Sequence, residues 1–179
     1  DFNYPKVTQG KKHPDFQESM LMVRDKIQES IRLRMRSDVP VAVYLSGGID
    51  SCSILGFAAQ MVDTPLKAFT LSFDAQDYDE KAIAQEMASR AGAEFFPIDV
   101  GSQDFADNIE KAVGNGEILI TNTHAVAKYI LSRELQKSGY KVVLTGEGSD
   151  EIFAGYAPFK RDMILYSQLT QGSNSEEDV

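Results

Sequence analysis

Val41-Ala42-Val43-Tyr44-Leu45-Ser46-Gly47-Gly48-Ile49-Asp50-Ser51 passes from an apolar run into a serine- and glycine-rich turn. Cys52-Ser53-Ile54-Leu55-Gly56-Phe57-Ala58-Ala59 then reads as a helix. The order of β-branched run, glycine turn and helix formers predicts a strand–loop–helix unit. Two adjacent glycines let backbone N–H groups approach an anion closely, and the helix N-terminus adds unpaired donors and the positive end of a dipole. Ser46 and Ser51 supply hydroxyls, and Asp50 supplies a carboxylate suited to Mg²⁺. The unit is predicted to hold phosphate.

Its spelling is neither the Gly-x-x-x-x-Gly-Lys-Ser/Thr of a Walker loop nor the Gly-x-Gly-x-x-Gly of a dinucleotide site. Ser-Gly-Gly-x-Asp-Ser resembles the PP-loop of ATP pyrophosphatases, enzymes that cleave ATP between the α and β phosphates. A second block narrows the resemblance. Lys141-Val142-Val143-Leu144 is a short apolar strand followed by Thr145-Gly146-Glu147-Gly148-Ser149-Asp150-Glu151 and Ile152-Phe153-Ala154-Gly155-Tyr156. An EF-hand does not account for these acidic residues, because the ligand alternation and the distal Glu are missing. The block resembles the signature of the asparagine synthetase family, which includes the β-lactam synthetases.

Composition agrees with one soluble α/β domain. The chain has 179 residues, 42% of them hydrophobic, enough for a sizeable core. No apolar run is long enough to span a bilayer, so no membrane partner is expected. A net charge of −9, from 27 acidic and 18 basic residues, argues against a nucleic-acid surface and for small-molecule substrates. Arg32, Arg34 and Arg36 cluster at a predicted helix end, where cations complement the dipole. Cys52 is the single cysteine, which excludes an intrachain disulfide and suggests a reducing, cytoplasmic location. It reads as a small helix residue rather than a nucleophile. With only His13 and His124, neither a zinc site nor a Ser-His-Asp triad has its material.

Along the chain, residues 1–14 read as an irregular N-terminal linker, 15–170 as the ATP-binding domain and 171–179 as a polar tail. Asp15 with Glu18 predicts a capped helix start. Phe16, Met20, Val23, Ile27, Ile31 and Met35 recur at helical spacing and predict a core-facing stripe. Strands are predicted at 41–45, 67–73, 94–98 and 141–145. Helices are predicted at 51–61, 79–91 (closed by Gly92), 102–113, 122–137 (ended by Gly139) and 158–169. The alternation predicts parallel βαβ units with right-handed crossovers and helices on both faces. The resemblance implies the adenine nucleotide α-hydrolase-like version of that sheet. If the first and fourth strands are neighbours, both motifs face one crevice beyond the carboxyl ends of the strands.

The resemblance also implies site roles. Ser46, Gly47, Gly48 and Ser51 would hold pyrophosphate, and Asp50 and Asp150 would share Mg²⁺. Glu147 and Asp150 match catalytic positions, Glu147 as proton acceptor or as positioner. Thr145, Gly146, Leu71 and Tyr44 align with positions near AMP, although strand alternation allows Leu71 and Tyr44 to be core residues equally well. Asp77 or Asp79 is expected to cap the third helix, and His124 to serve a surface or packing role. The implied chemistry is ATP-dependent adenylation of an aspartate side-chain carboxylate with release of pyrophosphate, followed by amidation with ammonia. In glutamine-dependent members ammonia comes from an upstream glutaminase domain. The resemblance covers about Asp15 to Arg161, the nucleotide-binding core, without the family's later lysine. A nucleotide-binding module without turnover and a ligase for another carboxylate, such as a β-lactam precursor, therefore stay open.

Overall fold

The computed structural model describes residues 15–73, 80–117 and 119–172. Four strands, β1 (Val41–Tyr44), β2 (Lys67–Phe73), β3 (Glu94–Val100) and β4 (Val142–Leu144), form one parallel sheet in the order β3-β2-β1-β4. The helices are α1 (Phe16–Arg34), α2 (Ile49–Ala59), α3 (Lys81–Ala91), α4 (Ser102–Gly116), α5 (His124–Lys137), α6 (Ser149–Phe153) and α7 (Ala157–Gly172). From β1 the chain winds outward through α2, β2 and α3 to β3. It then returns by α4 and α5 to place β4 on the other side of β1. Strand order therefore reverses between β1 and β4, the position where open parallel sheets bind ligands.

Parallel strands covered on both faces must be apolar throughout, and β1 is. Val41, Val43 and Leu45 join Leu55 and Ala58 of α2, Ala84 and Ala88 of α3 and Ile31 of α1 in the main core. Ala42 points the other way, with Phe69 of β2 and Leu131 and Leu135 of α5. A third cluster joins Val100, Ala112, Val126 and Ile130 under α4 and α5. Leu55 and Val43 are completely buried, and truncating Leu55 to Ala would cost about 2–5 kcal/mol.

The predicted elements are present, with shifted ends. β3 runs two residues beyond 98 because it pairs with β2 as far as Phe73↔Val100. α2 starts at Ile49, so Asp50 belongs to its first turn rather than to the loop before it. α3 closes on Gly92 (φ +68°), and Gly139 (φ +85°) follows α5 in the same left-handed region. The Asp15 cap is formed, its carboxylate accepting the Glu18 N–H at 2.7 Å. The capping expected of Asp77 or Asp79 lies outside the described residues.

The α1 stripe requires correction. Ile31 is buried and Ile27 and Met35 pack against the core. Phe16 is 79% exposed, however, and Met20 and Val23 are exposed as well. Helical spacing defines a face but not its length of cover, and only the last turns of α1 reach the sheet and α2. α6 buries none of its residues, and the described side chains of α7 stay exposed. Among the described residues, no helix is long and apolar enough to cross a membrane.

Candidate nucleotide site

Beyond the carboxyl ends of β1, β2 and β4 lies a cavity of about 420 Å³. Of the predicted site residues, Ser46, Gly48, Asp50, Ser51, Leu71, Thr145, Gly146, Glu147 and Asp150 all line it. Gly47 lies on the same loop without lining the cavity. Tyr44 and Leu71, whose strand position left two roles open, fill both. They line the cavity and also pack against the second core cluster.

The Ser46–Ser51 loop is shaped by its own hydroxyls. Ser51 Oγ accepts the Ser46 N–H at 3.0 Å, and the Ser46 and Ser51 hydroxyls are 2.9 Å apart. The Gly48 N–H donates to Ser46 Oγ at 3.2 Å. Gly48 is the residue before α2 and has no side chain to cap it, which leaves the first N–H groups of the helix to an external acceptor. Thr70 fastens the loop to the sheet, its buried hydroxyl donating to the Leu45 carbonyl at 2.8 Å.

The two motifs touch. A Cβ placed on Gly146 would lie 2.8 Å from the Ser51 nitrogen and 2.9 Å from Asp50 Cβ. Only glycine lets the second loop pass so close over the start of α2. Gly155 plays a similar part for Asp150, whose carboxylate occupies the space a Cβ there would need.

Among the described residues, five acidic ones line the cavity (Asp50, Glu80, Glu147, Asp150 and Glu151), and Lys128 is the one lysine or arginine there. Burial first, and the negative charge of Asp150 second, hold the Asp50 carboxyl above its ordinary range. Two carboxylates that repel one another across a half-buried gap suit a divalent cation. Among the described residues, no group of three or more His, Cys, Asp or Glu is arranged to hold a metal. Asp50 and Asp150 match the one or two carboxylates that Mg²⁺ usually takes from a protein, the rest of its shell being waters and substrate phosphates.

Lys128 on α5 pairs with Glu147 at 2.7 Å, both side chains more than half exposed. Such a pair is worth under about 1 kcal/mol and opens readily to an incoming anion. Sequence reading missed Lys128 as a site residue, though it sits four residues after His124 and so on the same helix face. Both residues line the cavity. Glu80 was missed as well, because only the adjacency of β1 and β2 carries the start of α3 to the loop. Cys52 is half-buried against the main core, and burial pushes its thiol up, which disfavours a reactive thiolate.

Comparison with known proteins agrees with this geometry. A profile of the asparagine synthase family matches residues 22–176. The amidase chyE of Penicillium rubens is 36% identical over 156 residues, which is 79% of this chain and 23% of that protein. The glutamine-hydrolyzing asparagine synthetase 1 of Bacillus subtilis is 34% identical over 143 residues, 80% of this chain and 22% of that protein. The chain thus spans less than a quarter of either relative. Among solved structures, an NH3-dependent NAD synthetase from Campylobacter jejuni, in complex with nitrate, superposes with a TM-score of 0.50 at 20% identity. It covers 80% of this chain and 62% of its own. That likeness establishes the adenine nucleotide α-hydrolase-like sheet.

Proposed function

Because the chain belongs to the asparagine synthase family, we propose that it is the adenylating core of an ATP-dependent amide-forming ligase whose carboxylate substrate is aspartate. The observation that carries the reading is the contact between the Ser46–Ser51 and Thr145–Asp150 loops across the β1/β4 reversal. A phosphate-binding turn and a carboxylate-bearing turn in contact give a place for a triphosphate and its cation together.

In this reading Ser46, Gly47, Gly48 and Ser51 receive the β and γ phosphates as the pyrophosphate leaving group. Asp50 and Asp150 would hold Mg²⁺, which when bound neutralises phosphate charge. Leu71 and Tyr44 flank the nucleotide, with Thr145 and Gly146 beside it. A carboxylate oxygen of the substrate attacks the α-phosphorus, and the bond to the bridging oxygen breaks to release pyrophosphate. Ammonia then attacks the acyl carbon and AMP leaves. Glu147 accepts the proton lost as the amide forms, with Lys128 holding its carboxylate until then. In the whole protein, a glutaminase domain upstream is the proposed ammonia source, as the name of the Bacillus relative suggests. A second reading keeps the same adenylation with a different carboxylate, since the family's relatives are not all named as asparagine synthetases.

The test is pyrophosphate release from Mg·ATP, with and without aspartate, by this chain and by Asp50→Asn. Aspartate-dependent release that disappears in the variant supports the reading. Release that ignores aspartate but responds to another acid supports the second. If Mg·ATP neither reacts nor binds, both fail.

A further inference from the structure

The backbone donors of the Ser46–Gly48 turn are already engaged by oxygens of the chain itself. The Ser46 and Gly48 N–H groups donate to the hydroxyls of Ser51 and Ser46. Between them, the Gly47 N–H donates to Glu80 Oε2 at 2.9 Å. These acceptors differ in kind. A hydroxyl can rotate and donate its own proton to an arriving phosphate oxygen. An ionised carboxylate can only accept, and it repels a phosphate.

Packing brings Glu80 to the loop. A Cβ on Gly47 would fall 3.1 Å from Glu80 Cβ and 3.2 Å from Ile83 Cβ, so the first turn of α3 lies directly against the turn. The side chain itself is exposed and can swing into water at small cost.

We propose that Glu80 is an internal competitor for the phosphate seat, its carboxylate holding the Gly47 N–H until a phosphate oxygen displaces it. The inference rests on the phosphate-loop reading above. It has two consequences. A free monoanion gains little at the loop, because it must evict a carboxylate of equal charge. A cation-complexed polyphosphate succeeds, and the returning carboxylate then helps pyrophosphate leave.

Titration calorimetry with Mg²⁺ and inorganic pyrophosphate tests this on wild type, Glu80→Gln and Glu80→Ala, with a thermal melt of each. Gln keeps an amide oxygen for the Gly47 N–H and removes only the charge, so it also serves if the Ala variant does not fold. Both variants are expected to bind pyrophosphate about fivefold more tightly, the scale of one solvent-exposed charge–charge contact. A side chain that merely supported the loop would give the opposite sign, weaker binding in both variants, and that result overturns the inference. So does an affinity unchanged in both while wild type binds normally. If neither wild type nor variant binds pyrophosphate, the phosphate-loop reading falls first and this inference with it.

Discussion

Gly146→Ala adds a single methyl group where the two loops meet. Its carbon would stand 2.8 Å from the Ser51 nitrogen, 2.9 Å from Asp50 Cβ and 3.0 Å from the Asp50 carbonyl carbon. Two of the three are backbone atoms and the third is bonded to backbone, so no side chain can rotate aside. Restoring an ordinary contact of 3.4 Å requires the loops to part by about 0.6 Å. Overpacking of this kind costs about 1–3 kcal/mol. For a chain of this size that lowers Tm by roughly 3–10 °C. The same movement draws Asp150 away from Asp50. Reacting groups misplaced by about 1 Å lose up to roughly 100-fold in rate, so aspartate-dependent pyrophosphate release should fall at least about 10-fold. Differential scanning fluorimetry and the release assay read the two effects. Gly114→Ala is the control, since a Cβ there meets nothing within 4 Å and the site lies inside α4. There, alanine should stabilise by up to about 1 kcal/mol through helix propensity. A Gly146→Ala protein that melts with wild type and releases pyrophosphate at the wild-type rate would refute the claim that the loops are in contact.

Two further perturbations test the electrostatics and the anchoring of the site. Asp50 has its carboxyl raised by burial and by Asp150, so the folded state holds the proton more tightly than the unfolded chain. Stability is therefore lost as pH rises past the ordinary value of 3.8. Asp50→Asn should melt above wild type at neutral pH and converge with it in acid below 3.8, and a gap independent of pH would sink the argument. Thr70→Val keeps the shape of a side chain that is 2% exposed but deletes its bond to the Leu45 carbonyl. Urea denaturation should show a loss of about 1–2 kcal/mol, and a change below about 0.3 kcal/mol would mean that this bond does not anchor the loop.

Much of this was legible in the chain because local rules govern it. Strand β2 at 67–73, the ends of α3 and α5 at Gly92 and Gly139, and the Asp15 cap depend on residues within a few positions of one another. The two glycine loops were legible for the same reason, since each is spelled within one strand–turn–helix segment. The α1 stripe shows the limit of such rules. Phe16 and Ile31 share a period, yet one is exposed and the other buried, because cover depends on where neighbouring elements end.

Periodicity, turn chemistry and the two motifs thus determine the elements, the parallel winding and most of the groups placed at the site. Strand order is a different matter, since pairing of β1 with β4 joins segments about a hundred residues apart through packing that no local pattern encodes. That pairing brings Gly146 onto the backbone of Asp50 and Ser51 and puts Asp150 within the electrostatic reach of Asp50. Pairing of β1 with β2 seats Glu80 on the Gly47 N–H, and the packing of α5 delivers Lys128 to Glu147. Charges and donors are properties of residues, whereas competition and repulsion between them arise only at distances the tertiary fold imposes.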